Sequence, residues 1–301
     1  MKNIVVTFIF LLSISPTFAQ NSGYVENGDC KTYFRTFGTG KPILIINGGP
    51  GMNSDGFVPL AKTLSKNNRT IIYDQRGTGK SVLDKVDGST ITMKLMSEDI
   101  ERLRKHLKIE KWIILGHSFG GMMASYYATI HPDRIESLIL SSSGGIDLEI
   151  LSSSGSNLMS RLSAREVDSL NFWNGKIGNG DTTYQAKLHR GLALAPAYLF
   201  DRKYIPVIAE RLTQSNMKVN GIVWNDLQKI KYDCRAKLQL FTAPVLIIQG
   251  KQDIIEEKIA LKAQNALKNS RLIIIDKCSH YGWLDQPDRY FTEINKFIAG
   301  A

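Results

Sequence analysis

Cysteine is scarce in this 301-residue chain: Cys30, Cys234 and Cys278 are the whole complement, and no two form a Cys-x-x-Cys pair. So few thiols exclude a disulfide-dense scaffold and a zinc ribbon. An oxidising compartment would permit one bridge among the three, with the pairing left open, and Cys278 reads as a buried inert thiol rather than a nucleophile. Internal repeats and low-complexity blocks are missing too, which excludes collagen-like and disordered scaffolds. The apolar run near the start, Ile4 to Ile14, falls short of the ~20 residues that span a bilayer. With Lys2 before it and Pro16-Thr17-Phe18-Ala19 after it, that run has the shape of a secretory signal peptide over residues 1–19, cleaved after Ala19. The protein is therefore expected to be secreted or periplasmic with no stable span, an uncleaved anchor being the alternative. The polar stretch Gln20–Asn27 then reads as a linker.

What remains is ordinary globular material, 43% hydrophobic and 22% charged, enough for a sizeable core. Lys plus Arg outnumber Asp plus Glu by 38 to 28. The excess is dispersed rather than gathered into a basic run, so it reads as solubility and no nucleic-acid partner is expected. Short runs rich in Ile, Val and Leu occur at Pro42–Asn47, Thr70–Tyr73, Lys111–Leu115, Ile135–Ser141, Pro244–Gln249 and Leu272–Ile275. Such runs are what strands buried on both faces of a parallel sheet look like. Helical patterns fall at Asp55–Lys66, Met93–Leu107, Gly120–His131, Glu256–Leu267 and Asp288–Ala299. The alternation predicts an α/β fold with a mostly parallel, doubly wound sheet. It fails from about Gly144 to Leu240, so the expected organisation is a core over 20–143 and 241–301 with an insertion at 144–240.

The chemistry concentrates where strand runs end. Lys111–Leu115 leads into Gly116-His117-Ser118-Phe119-Gly120-Gly121, and a helix pattern begins at once. A serine between glycines at a strand-to-helix turn is held out above the sheet on a strained elbow. A hydroxyl needs a base, and of five histidines His280 lies in a loop five residues past the last strand run. The base needs an acid to set its tautomer, and Asp253 follows the fifth run; Asp276 and Asp285 are nearer in sequence but sit at a strand end and in the next turn. The order Ser118, Asp253, His280 suits this architecture. Two backbone N–H groups are expected to hold the developing oxyanion, one from Phe119 and one from Gly49 in Asn47-Gly48-Gly49-Pro50-Gly51. Gly77-Thr78-Gly79-Lys80-Ser81 imitates a phosphate-binding loop, but Asp74 stands where its first glycine belongs, so no nucleotide site is predicted. Arg76 reads instead as a structural residue paired with Asp74 or a neighbouring carboxylate. No metal or cofactor is predicted.

Taken together, Asn47-Gly-Gly-Pro-Gly51, Asp74-Gln-Arg-Gly77, Gly116-His-Ser-Phe-Gly-Gly121, Asp253 and His280 with Trp283 resemble the α/β-hydrolase fold, and within it the proline iminopeptidase family. The likeness covers roughly residues 30–143 and 241–299. It implies a helical cap inserted after the sixth strand and a serine hydrolase in which Ser118 is nucleophile, His280 general base and Asp253 its orienting acid. It also implies Gly49 and Phe119 as oxyanion donors, and release of an N-terminal residue, usually proline, from a small peptide. Two departures stand out. Asn47 occupies a position that is usually histidine in that family. The cap lacks the paired-tryptophan segment whose carboxylate holds the substrate's ammonium, and residues 145–240 carry nine acidic against thirteen basic side chains. Glu166 and Glu210 are the carboxylates considered for that role, and Trp173 and Trp224 the aromatics considered for an apolar pocket. A small ester or lactone is the second reading of the substrate. A catalytically silent ligand-binding protein of the same fold is the reading from another class.

Overall fold

The computed structural model describes residues 21–152 and 154–300, so the expected leader at 1–19 lies outside them. Its centre is one eight-stranded sheet: β1 (Asn21–Asn27), β2 (Cys30–Phe37), β3 (Lys41–Ile46), β4 (Asn68–Tyr73), β5 (Trp112–His117), β6 (Ile135–Ser141), β7 (Val245–Gly250) and β8 (Ser270–Ile275). The spatial order is β1-β2-β4-β3-β5-β6-β7-β8, with β1, β2 and β4 paired antiparallel and every later neighbour parallel.

Helices cover both faces, which is why the central strands are apolar throughout: all six residues of β5 and of β7 are buried. Alternate side chains feed two separate cores. Leu44, Ile46 and Ile114 pack on the side of α2 (Met93–His106), α3 (Phe119–Ile130) and α10 (Glu257–Ala266). Ile43, Ile45 and Ile113 pack on the side of α1 (Val58–Leu64) and α12 (Pro287–Gly300). Each apolar run of the sequence is thus a strand with at least one parallel neighbour.

The N-terminal hairpin corrects the linker reading of Gln20–Asn27. Asn21–Asn27 is an edge strand paired residue for residue with β2 around a two-residue turn, Gly28-Asp29, in which Gly28 has φ +57°. Among the β1 residues whose burial is described only Val25 is buried, so the strand carries little of the hydrophobic signal that marks the others. The Asn27-Gly28 dipeptide, a strong hairpin signal, was the available clue.

The loop that imitates a phosphate site is structural. Arg76 makes a two-pronged pair with Asp99 of α2, Nε to Oδ2 at 2.7 Å and Nη2 to Oδ1 at 2.9 Å, with both side chains buried. Asp74 instead accepts from the Ser54 amide and hydroxyl and from the Lys80 amide. Removing one partner of a buried pair leaves the other charge unpaired, so Arg76→Met is expected to destabilise the fold by about 3–5 kcal/mol, read as a fall in the denaturant midpoint. The double variant Arg76→Met/Asp99→Leu should recover much of that loss.

Between β6 and β7 the chain folds into α4 (Ser154–Ser160), α5 (Ala164–Gly178), α6 (Tyr184–Leu194), α7 (Ile205–Leu212), α8 (Met217–Lys229) and the short α9 (Arg235–Leu238), while the four-residue α11 (Gly282–Asp285) precedes α12. This inserted layer is bonded to the loops at the C-terminal end of the sheet. The Asn216 amide donates to Gly51 O, Asn220 Nδ2 to Pro50 O, Asn157 Nδ2 to Ile254 O and the His280 amide to Tyr198 O. The sheet's C-terminal edge, where parallel sheets hold their ligands, is therefore roofed.

Candidate active site

At the junction of β5 and α3 the backbone turns so sharply that Ser118 adopts φ +56°, ψ −121°. That region is costly for a residue with a Cβ, roughly 1–3 kcal/mol, and persists only when its surroundings hold it. They do: the Ser118 amide donates to Ser141 O at 3.0 Å, and its carbonyl accepts from the amides of Gly121 and Gly144. A Cβ on Gly116 would lie 2.3 Å from Gly120 O, and one on Gly120 would lie 2.0 Å from Ile46 O. Glycine is therefore required on both sides of the serine by contact with backbone, which cannot retreat.

Two other loops meet this turn. The loop after β7 and the loop after β8 are locked together: a Cβ on Gly250 would meet Ser279 O at 2.2 Å, the Gln252 amide donates to Cys278 O, and the Cys278 amide donates to Gln252 Oε1. The result is a contact between Asp253 and His280, Oδ1 to Nδ1 at 2.8 Å, with both side chains buried. The Ile255 amide donates to the same oxygen at 3.1 Å. A carboxylate on Nδ1 fixes the tautomer with its proton there, so Nε2 is left as the basic nitrogen. Asp276 and Asp285 are engaged elsewhere. Asp276 is exposed and accepts from Gln252, whereas Asp285 accepts from the amides of Ser279, Phe200 and Asp201, and burial raises its carboxyl above the ordinary range.

The glycine loop after β3 lies over the serine. A Cβ on Gly48 would come within 2.7 Å of the Ser118 Cβ, and Gly49 needs its φ of +70°. The Gly48 carbonyl accepts from Asn47 Nδ2 at 3.1 Å and from Arg211 Nη2 at 2.9 Å. A trans peptide carries its C=O and N–H on opposite sides, so gripping that oxygen also fixes the direction of the Gly49 N–H. Asn47 thus supports the loop with a hydrogen bond of its own. Phe119 opens α3, and the first N–H groups of a helix have no partner within it.

Ser118, His280, Gly49 and Phe119 line a single cavity of about 310 Å³. Its roof comes from the inserted helices and includes Trp224, Tyr198, Arg190 and Arg211. Trp173 does not reach it and stacks on His189, ring centroids 4.7 Å apart. Glu166 closes the capping box of α5 and pairs with Arg202, and Glu210 accepts from the exposed Tyr184 hydroxyl, so neither carboxylate lies in the cavity wall. Among the described residues the cavity lining contains no Asp or Glu at all.

Arg211, Arg190 and Tyr198 are site residues that the sequence reading missed. Arg211 had a visible signal: it sits in Ile208-Ala209-Glu210-Arg211-Leu212, on the apolar stripe of a helix, where a lone cation is out of place. All three cysteines are free and buried, and burial pushes the Cys30 thiol to about 11, Cys234 to about 12 and Cys278 higher still. None is in a state to act as a thiolate at neutral pH.

His117, beside the serine, is fully buried with neither ring nitrogen bonded among the described residues. Burial, and then the neighbouring His280 and Arg211, hold its pKa well below the usual histidine value of 6.5. The folded protein keeps His117 neutral, whereas the unfolded chain takes up a proton below about pH 6.5. Stability from this group is complete above that pH and falls as the pH drops, by about 1.4 kcal/mol per unit for one proton. A His117→Gln variant is expected to flatten that part of the stability–pH curve measured by urea unfolding between pH 7 and 5.

A family profile described as alpha/beta hydrolase fold matches residues 41–287. A proline iminopeptidase of Lactobacillus helveticus is 26% identical over 295 residues, covering 89% of this chain and 94% of that one. Among solved structures, a proline iminopeptidase of Mycobacterium smegmatis superposes with a TM-score of 0.70 at 22% identity, covering 93% of this chain and 98% of its own. Est816, described as an N-acyl homoserine lactone degrading enzyme, gives a TM-score of 0.64 at 19% identity, with 91% and 100% covered.

Proposed function

The chain belongs to the α/β-hydrolase fold family, and on that footing we propose that it is a serine hydrolase cleaving a small carboxylic ester or amide through an acyl-enzyme. Ser118 Oγ attacks the carbonyl carbon while His280 Nε2 takes its proton. Asp253 holds the imidazole through Nδ1 and stabilises the imidazolium. The N–H groups of Gly49 and Phe119 receive the oxyanion. His280 then returns the proton to the leaving group, and a water deprotonated by the same nitrogen attacks the acyl carbon and frees Ser118. The observation that carries this reading is the shared cavity of a strained serine and a histidine already tied to a buried carboxylate.

Two finer readings differ in the leaving group. The names of the curated relatives favour release of an N-terminal residue, proline first. The cavity favours an ester or lactone, because it offers no carboxylate to a substrate ammonium among the described residues. Proline and alanine arylamides assayed beside short p-nitrophenyl esters separate them: ester turnover without arylamide turnover supports the second and overturns the first. Failure of a fluorophosphonate to label folded protein would favour a non-catalytic binding role and overturn the hydrolase reading. We also infer export with cleavage after Ala19; N-terminal sequencing of the protein from culture should begin at Gln20, and a start at Met1 would contradict it.

A further inference from the structure

We propose that the cavity recognises substrates bearing a carboxylate, which the guanidinium groups of Arg211 and Arg190 hold beside the reacting carbonyl; this rests on the serine hydrolase reading above and names the substrate class of the same site.

Arg211 is 4% exposed. Its Nη2 donates to Gly48 O at 2.9 Å, while Nε and Nη1 are buried with no hydrogen-bond partner among the described residues. Its guanidinium lies over the Phe57 ring, 4.6 Å from the centroid, and takes part in no ion pair among the described residues. A buried cation in this condition is unusual, since buried charges are ordinarily paired. The nearest acid in sequence, Glu210, is turned outward to Tyr184. A second cation, Arg190, lines the same cavity. A Cβ on Gly191 would meet Ala209 O at 2.5 Å, so α6 and α7 touch backbone to backbone just where Arg190 and Arg211 occur. Arg190 spends its Nε on Asn174 Oδ1 and is in no ion pair among the described residues. Both line the cavity that holds Ser118 and His280.

Two guanidiniums and no Asp or Glu in the lining among the described residues make the cavity wall electropositive, and a planar donor fork matches a carboxylate better than any neutral acceptor. A substrate carboxylate would pair with the two guanidinium charges, which no Asp or Glu of the cavity lining neutralises among the described residues. An ammonium would face two like charges with no counter-ion. Short dicarboxylic monoesters, which carry a carboxylate and no ammonium, are the class this arrangement suits.

The test compares mono-p-nitrophenyl succinate and glutarate with p-nitrophenyl butyrate and pentanoate, reading kcat/KM for each. Wild-type enzyme should favour the anionic member of each pair by about 10- to 100-fold. Arg211→Met should also slow both members, because it loosens the Gly48 carbonyl; the discriminating readout is the anionic-to-neutral ratio, which should collapse towards one. Arg190→Met should lower the ratio as well, and it keeps the proposal testable should Arg211→Met fail to fold. Equal turnover of anionic and neutral esters by wild-type enzyme, or a ratio unmoved in both variants, would overturn the proposal while leaving the serine hydrolase intact. No turnover of any ester together with no fluorophosphonate labelling would instead overturn the reading on which it rests.

Discussion

Ser118→Ala is expected to lower kcat on any ester or amide that this protein cleaves by about 10⁶-fold, leaving a residue of activity from oxyanion binding alone. The substitution removes one oxygen and keeps the Cβ, so the backbone at φ +56° and the bonds to Ser141, Gly121 and Gly144 are unchanged. Tm should therefore stay close to that of the parent protein. A large loss of turnover with an unmoved Tm separates a chemical role from a structural one. A Ser118→Ala protein that retains a tenth of the activity would place the nucleophile elsewhere.

Asp253→Asn is the second large effect, about 10⁴-fold in kcat. An amide at this position donates as well as accepts, and the imidazole can then carry its proton on Nε2, where it cannot take one from Ser118. The 2.8 Å contact with His280 Nδ1 is the reason the proposed mechanism assigns the acid to Asp253. Asp276→Asn, on an exposed side chain bonded to Gln252, should leave kcat within about twofold, as surface substitutions generally do. Asp285→Asn should act on stability instead, since its carboxylate accepts three amides that tie the His280 loop to the inserted helices. If Asp276→Asn rather than Asp253→Asn stopped turnover, the assignment of the acid would be wrong.

Physical reasons decide which parts of the molecule were legible in the sequence. Strands β3 to β7 are flanked by helices on both faces, so burial writes itself into a short apolar run, and edge strand β8 keeps such a run although only Ile275 of it is buried. The β1–β2 hairpin sits at the sheet edge, where side chains meet water and Val25 is the one buried residue among those described in its first strand. Its signal is a turn dipeptide rather than hydrophobicity. Ser118 could be singled out because glycine at 116 and 120 is enforced by backbone contacts that have no alternative solution. Asp253 and His280 rest on chain order alone in the sequence; their contact depends on Gly250 admitting the loop that carries Ser279. The roof was the illegible part. Its helices are amphipathic in the ordinary way, and which polar residue faces inward depends on how α6 and α7 pack. The sequence therefore put forward Glu166 and Glu210 and passed over Arg190 and Arg211, and the structure turns the two acids outward and the two arginines inward.

The central chemical claim can be met by one measurement: incubate the folded protein with a fluorophosphonate, digest it, and locate the adduct by peptide mass. A single phosphonyl group on the peptide containing Ser118, formed at a rate that falls steeply in His280→Ala, is the predicted result. A folded, ester-cleaving protein that acquires no adduct there, or carries it on another side chain, would contradict the account.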